Sequence, residues 1–328
     1  MKILVTGATG FIGSRLALRA RAGGHDVLAT GRRLNEKLGT QFAAAGIEVR
    51  LGDVTDPVFV EQLMPGITHV CHLAAAWQEV GVPDEYFRKV TVEGAELIAD
   101  AAARHRVTKL VHCSTSGVHS RFSGEVVTET SMIELTNAYE VAKMEAERLL
   151  FARAAVTGLP TIVLRPADAY GPGDLRLLKL FRAIARQRFP LIGTGSGHRH
   201  MIFVDDLCDA FLAACAAPAR EPQAFLVAGP EVVTLRELVE RVARVLGVAK
   251  SGFRLPLAPM RVLAAITEDV CSVLNVAPPL YRRRLEFYAV DVQYDIRKAL
   301  DLLHWSPRTG LDTGLRLTAE WYRQQGLL

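Results

Sequence analysis

No two of the five cysteines, Cys71, Cys113, Cys208, Cys215 and Cys271, stand in C-x-x-C spacing, and their number is odd. That pattern excludes a disulfide framework and a thiolate metal knot, and makes a reducing compartment, the cytoplasm, the expected setting. There is no excess of one charge either: 39 basic side chains are matched by 35 acidic ones, a formal +4, mixed along the chain. A nucleic-acid groove is therefore not expected. The one basic run, Arg282 to Arg284, borders apolar residues and reads as a solvated helix face rather than a phosphate clamp. No apolar run is long enough to cross a bilayer, because the most apolar late region is broken by Pro256, Pro259, Arg261, Glu268 and Asp269. The opening "ILVTG" is too short for a secretory signal. No internal repeat or low-complexity segment is present.

What the chain does have is alternation. Short β-branched runs, "KILVT", "HDVLA", "IEVRL", "THVCHL", "KLVHCST" and "TIVLRP", each adjoin a stretch with helical apolar spacing. Parallel strands need crossover helices on right-handed connections, so this series predicts an α/β, doubly wound parallel-sheet Rossmann fold. After "RPADAYGPGD" the rhythm breaks. With 328 residues, half of them hydrophobic, two units are expected: residues 1–168 plus about 201–228 as a dinucleotide-binding domain, and about 169–200 plus 229–328 as a smaller substrate-binding domain. Ligands of such sheets bind at the carboxyl edge.

Gly7, Gly10 and Gly13 follow the first strand and open an apolar helix, the context in which missing side chains let a dinucleotide diphosphate reach backbone N–H groups and the positive helix end. This G-x-x-G-x-x-G, with "HLAA" at His72 to Ala75, resembles the extended short-chain dehydrogenase/reductase superfamily, in the NAD-dependent epimerase/dehydratase branch. The resemblance implies that Phe11, Ile12, Asp53, Val54, Leu73, Ala74, Ala75 and Pro166 also line the cofactor, with Asp53 at the adenine. At the end of the second strand, where a carboxylate normally bonds the ribose hydroxyls of NAD, the chain reads "ATGRRLN". Arg32 and Arg33 suit a 2′-phosphate, so NADP(H) is expected over NAD(H); the alternative is two surface arginines after a turn.

Tyr139 and Lys143 in "NAYEVAKMEAERLL" are four residues apart and project from one helix face. A phenol with a reference pKa near 10 needs a nearby positive charge to act as an acid/base at neutral pH. By the resemblance, Tyr139 exchanges a proton with the substrate oxygen, Lys143 holds the ribose and biases Tyr139, and Thr115 of "STSGVH" orients the oxygen. Ser116 is the close alternative to Thr115 and is also placed at the substrate. A cofactor-binding regulator without catalysis would have no reason to keep all three.

Other absences bear on the reaction. The family's asparagine in "N-V-x-G-T" is Thr91 here, and "RPxNVYGP" reads "RPADAYGP", placing Asp168 near the substrate or at a turn cap. No acidic residue follows Thr115, which disfavours the dehydratases and decarboxylases, whose second acid/base sits there. A nucleotide-sugar 4-epimerase with retained NAD remains the alternative. Its support is Arg199 in "GTGSGHRHMIFVDD", at the family's diphosphate-binding position unless it pairs with Asp205 or Asp206. The tail resembles the 3β-hydroxysteroid dehydrogenase and dihydroflavonol reductase-like branch, which implies apolar helices forming a pocket for a hydrophobic carbonyl compound as small-molecule substrate, a ketone reduced or a secondary alcohol oxidised; the alternative is that these helices are domain core. His198 and His200 lack a third ligand nearby, so no metal is expected. Helices near 93–105 and 138–157 resemble those that pair in the family's homodimers.

Overall fold

The computed structural model describes residues 1–77, 82–119, 125–218, 221–249, 254–256, 258–260, 262, 267 and 282–328. Cys271 and most of the apolar region from 254 to 274 lie outside these. So do the side chains of Arg282, Arg283 and Arg284, whose backbone is helical.

All six runs marked in the sequence form strands: β1 (Lys2–Thr6), β2 (Asp26–Gly31), β3 (Glu48–Leu51), β4 (His69–His72), β5 (Lys109–Cys113) and β7 (Thr161–Pro166). With β11 (Gln223–Val227) they make one parallel sheet in the order β11-β7-β5-β4-β1-β2-β3. The chain starts at β1, winds outward to β3, then returns to β4 on the other side of β1. That reversal opens a crevice at the carboxyl ends of β1 and β4, the place where such sheets take ligands.

Strand alternation feeds two cores. Ile3 and Val5 of β1 join Leu16, Ala17 and Ala20 of α1 (Phe11–Ala22) and Leu207 and Phe211 of α8 (Val204–Ala216). Leu4, between them, faces the opposite layer, with Leu63 of α3 (Pro57–Leu63), Ile98 of α5 (Gly94–Arg104) and Ala146 and Leu150 of α6 (Ala138–Thr157). Two arginines of α1 tie it to α8: Arg15 makes a two-point contact with Asp205, at 2.5 and 2.9 Å, and Arg19 does the same with Asp209, at 2.5 and 2.6 Å.

A third buried cluster stands apart from the sheet. It joins Tyr170 of β8 (Asp168–Tyr170), Phe181 of α7 (Leu178–Ala185), Phe203 of β10 (His198–Phe203), Leu238 of α9 (Leu235–Leu246) and Leu315 and Tyr322 of the last helix, Leu311–Gln324. Trp305 and Thr309 fasten this late segment to α8, donating to the carbonyl of Asp206 at 3.0 Å and to its side chain at 2.9 Å. Among the described residues no disulfide is present; Cys71, Cys113, Cys208 and Cys215 are buried thiols. No helix among them is long and apolar enough to cross a membrane.

Candidate active site

The three glycines of the first loop have different physical reasons. Gly7 has φ +67°, and a Cβ there would lie 2.8 Å from the backbone nitrogen of Ala74. At Gly13 a Cβ would come within 2.2 Å of the Gly7 carbonyl oxygen. Both positions are glycine because the turn and the helix pack backbone against backbone. Gly10 is not constrained in this way: its φ is −89°, ordinary for any residue, and a Cβ would meet only the Gly7 oxygen, at 3.3 Å. The bare surface at Gly10, at the N-terminus of the twelve-residue α1, is a cradle that the protein leaves unfilled. The residues present therefore fit a dinucleotide diphosphate.

Thr6 organises the other wall of the crevice. Its hydroxyl accepts the N–H groups of Leu73 and Ala74, both at 3.1 Å, and lies 2.7 Å from Nδ1 of His72. Ala76 donates to the hydroxyl of the buried Thr91 at 3.2 Å, so the residue that replaces the family's asparagine still supplies an oxygen that pins the "HLAA" segment. Asp53 is half-buried and accepts the N–H and the hydroxyl of Thr55, each at 2.9 Å; Val54 is buried against Gly94. Arg32 and Arg33 are exposed at the end of β2, and Arg32 donates to the hydroxyl of Tyr86 at 2.5 Å.

α6 begins where Asn137 caps it by accepting the N–H of Glu140 at 3.0 Å, which places Tyr139 in the first turn and Lys143 one turn later. Lys143 is buried. Its ammonium donates to the carbonyl of Cys113, the last residue of β5, at 2.7 Å and stands 5.9 Å from the centre of the Tyr139 ring. Burial pushes its pKa down, opposed by Cys113 and Glu147. One ammonium hydrogen is thus spent on the strand end, leaving two for groups in the crevice. Thr115 follows β5 and is half-buried; its oxygen accepts the N–H of Gly117 at 3.0 Å, while Ser116 is buried in the short 3₁₀ turn beyond. Pro166 ends β7, beside Val227. The loop glycines, Leu73 to Ala75, Thr115, Pro166 and the Tyr139–Lys143 pair therefore all gather at one edge of the sheet.

A buried network that the sequence reading missed braces this edge. Glu147, four residues past Lys143, accepts the hydroxyl of Ser114 and the guanidinium of Arg165, the latter at 2.6 Å, with both charged side chains almost wholly buried. Nη1 of Arg165 donates to Nε2 of His119 at 3.0 Å, so that ring carries its proton on Nδ1, facing the carbonyls of Ser131 and Met132. Extending the four-residue spacing of Tyr139 and Lys143 by one step would have found Glu147 on the same helix face.

The two outlying candidates stand differently. Asp168 is exposed on β8. Arg199 is buried, its guanidinium donating to the carbonyls of His198, Phe287 and Val290 and lying 5.4 Å over the Phe287 ring. His198 pairs with Asp291 at 2.7 Å, and His200 lies 2.8 Å from the carbonyl of Gly229. No group of histidine, cysteine and acidic residues able to hold a metal ion occurs among the described residues.

The chain is similar to known proteins over nearly its whole length. A 2-alkyl-3-oxoalkanoate reductase of Stenotrophomonas maltophilia is 29% identical over 328 residues, spanning 96% of this chain and 98% of that one. A UDP-glucose 4-epimerase of Mycolicibacterium smegmatis is 29% identical over 347 residues, spanning 99% of each. The crystal structure of a UDP-glucuronic acid 4-epimerase from Bacillus cereus in complex with NAD superposes with a TM-score of 0.78 at 21% identity, covering 99% of both chains, a likeness of fold. The family model for the NAD dependent epimerase/dehydratase family matches residues 3–228, more than half of the chain and all of the seven-stranded sheet but Lys2, and the chain belongs to that family.

Proposed function

We propose that this protein is an NAD(P)-dependent oxidoreductase that interconverts a ketone and a secondary alcohol on a small molecule. The observation that carries this is the pairing of a half-buried Tyr139 with a buried Lys143 at the same sheet edge as the bare cradle at Gly10. A bound nicotinamide supplies the hydride, a proton with two electrons, that reaches the carbonyl carbon. Tyr139 gives its phenolic proton to the carbonyl oxygen, and the alcohol forms; solvent then restores the phenol. Lys143 favours the phenolate left on Tyr139 through its charge, and Thr115, or Ser116 next to it, holds the reacting oxygen by a hydrogen bond. Gly7, Gly10, Gly13, Phe11 and Ile12 hold the diphosphate, Asp53 and Val54 the adenine, and Leu73 to Ala75 with Pro166 the nicotinamide side. The segments 169–200 and 229–328 form the substrate side.

Arg32 and Arg33 favour NADP(H), since no carboxylate stands at the end of β2 to bond ribose hydroxyls. Michaelis constants for the two cofactors test this, and a clear NAD preference would end it. The protein is proposed to work in the cytoplasm as a homodimer through α5 and α6; sedimentation showing a single 35.9 kDa species would remove the dimer.

A nucleotide-sugar 4-epimerase is the second reading, supported by the similarity to the UDP-glucose 4-epimerase. Against it, the Arg199 guanidinium is engaged by three carbonyls. Incubation with UDP- and dTDP-sugars without added cofactor separates the two: turnover there overturns the reductase.

A further inference from the structure

Trp77 ends the wall that runs from Leu73 to Ala76, where the N–H of Ala76 is bonded to the buried Thr91 at 3.2 Å. Its side chain is 48% exposed and enters none of the three buried clusters. Core packing therefore does not account for an indole here. Its ring contacts do. It meets the Tyr139 ring nearly at right angles, 74°, with the ring centres 5.2 Å apart. In that arrangement the positive rim of one ring meets the negative face of the other.

The indole is held in turn. The guanidinium of Arg176, in the loop after β8, stands 5.6 Å from its ring centre, within reach of a cation over an aromatic face. Arg176 is fixed: its backbone N–H and Nε both donate to Oδ1 of Asp174 at 2.9 Å, and Nη2 donates to the carbonyl of Ala169. Asp174 is 1% exposed, and its carbonyl accepts the hydroxyl of Tyr322, on the last helix, at 2.6 Å. The α6 backbone cannot do as much for Tyr139, because the last torsion of a tyrosine side chain is broad and the ring plane is set by what packs on it.

Resting on the reductase reading above, we propose that Trp77 is a positioning residue, which holds the Tyr139 ring in the orientation for proton transfer, and that Arg176 and Asp174 hold Trp77. The late segment of the chain thereby acts on the acid/base of the first domain through one indole. Trp77 is not required to touch the substrate, and this separates positioning from substrate contact.

The test compares the wild type, Trp77→Ala, Trp77→Phe, Tyr139→Phe and the double variant Trp77→Ala, Tyr139→Phe, with 2-octanone and 1-phenyl-1,2-propanedione as ketone probes and dinucleotide absorbance as the readout. An edge-to-face pair favours one orientation by roughly 3- to 12-fold, so kcat should fall by about that factor in Trp77→Ala. The ketone KM and the dinucleotide Kd should stay within about twofold, since no ground-state contact is removed. Trp77→Phe, which keeps an aromatic ring, should regain most of the rate. In the Tyr139→Phe background Trp77→Ala should cost nothing further, because residues that act as a unit are not additive. Fluorine NMR of protein labelled with fluorotyrosine needs no substrate: the Tyr139 signal, assigned by its loss in Tyr139→Phe, should sharpen in Trp77→Ala as the ring gains motion. A loss in KM or Kd instead of kcat, an additive loss in the double variant, or an unchanged fluorine line would overturn the inference while leaving the reductase standing. Reduction of neither probe, nor of any other ketone, would instead overturn the reductase reading and the inference with it.

Discussion

Gly10→Ala separates the two reasons for a glycine in the first loop. At φ −89° and ψ 177° alanine meets no backbone strain, and its Cβ asks the Gly7 oxygen, 3.3 Å away, to give by a few tenths of an ångström. Gly10 caps α1, where alanine is worse than glycine by about 0.5 kcal/mol, while the loss of glycine's unfolded-state freedom returns about 0.4 to 1 kcal/mol. The net change is within about 0.5 kcal/mol. For a chain of this length the unfolding entropy is roughly 0.7 kcal/mol/K, so Tm should move by less than about 1 °C. Binding should respond quite differently. A methyl group over the cradle displaces a diphosphate from backbone N–H groups, and one charge-assisted hydrogen bond is worth about 1.5 to 3 kcal/mol. Dinucleotide Kd, measured by titration of protein fluorescence, should rise roughly 10- to 100-fold. Gly13→Ala is the control: its Cβ would sit 2.2 Å from a backbone oxygen, so it should lower Tm and binding together. If Gly10→Ala bound dinucleotide like the wild type, or lost as much stability as Gly13→Ala, the cradle would belong to folding and not to a ligand.

Tyr139→Phe should leave thermal stability and dinucleotide affinity near wild type and lower kcat by at least about 100-fold, since proton transfer by a positioned group contributes that much; retained turnover would refute its role. Lys143→Met should raise the pH above which ketone reduction falls off, and the pH at which alcohol oxidation reaches its plateau, because the phenolate of Tyr139 loses a cation beside its ring; pH profiles that did not move would refute the pairing. Arg165→Met should destabilise by about 3 to 5 kcal/mol, as the buried carboxylate of Glu147 loses its partner, and chemical denaturation checks this. His72 and His112 are wholly buried, and burial lowers both pKa values, that of His72 to about 3. Below about pH 6.5 the unfolded chain takes up protons that the folded chain refuses, so stability should fall toward pH 3 by up to about 1.4 kcal/mol per pH unit for each ring. His112→Leu should make that slope shallower, and an unchanged slope would show that the ring already protonates in the fold.

The parallel sheet was legible because its strands are short, β-branched and separated by stretches of helical apolar spacing, and each of the six runs that show this became a strand. The glycine loop was legible for a related reason: backbone approach leaves a mark in composition. What the sequence hid was set by distance along the chain. Arg165 and Glu147 are 18 residues apart, Ser114 and Glu147 are 33 apart, and Tyr322 reaches Asp174 across 148; each pair is made by the fold and has no local pattern. Arg176 was missed because a single arginine in a loop looks the same whether it points to water or stands over Trp77. For Arg199 a motif was visible, yet its guanidinium is taken up by carbonyls of the segment around 287–290, some 90 residues later.

The neutral histidines bear on how the ammonium at the site keeps its charge. Lys143 is buried, and burial works against its proton; the side chains of Cys113 and Glu147 oppose this, and the Cys113 carbonyl accepts from the ammonium at 2.7 Å. His72 and His112 stack at 5.3 Å on adjacent strands beneath it, and each is held neutral by its own burial and then by the repulsion of Lys143. A second positive charge there would reverse the competition and push the proton off the lysine. Because His72 does not titrate until about pH 3, the ring pair stays uncharged throughout the range in which a phenol and an ammonium can share work. Glu147 must meanwhile serve two cations. It neutralises Arg165 by direct contact and supports Lys143 only from afar, so replacing Arg165 would leave its negative charge free to act on Lys143 and raise that lysine's pKa. On the proposed mechanism, the brace at β7 and the charge at α6 would therefore act as one electrostatic unit, in which the position of Glu147 between Arg165 and Lys143 sets how strongly the lysine biases Tyr139 toward its phenolate.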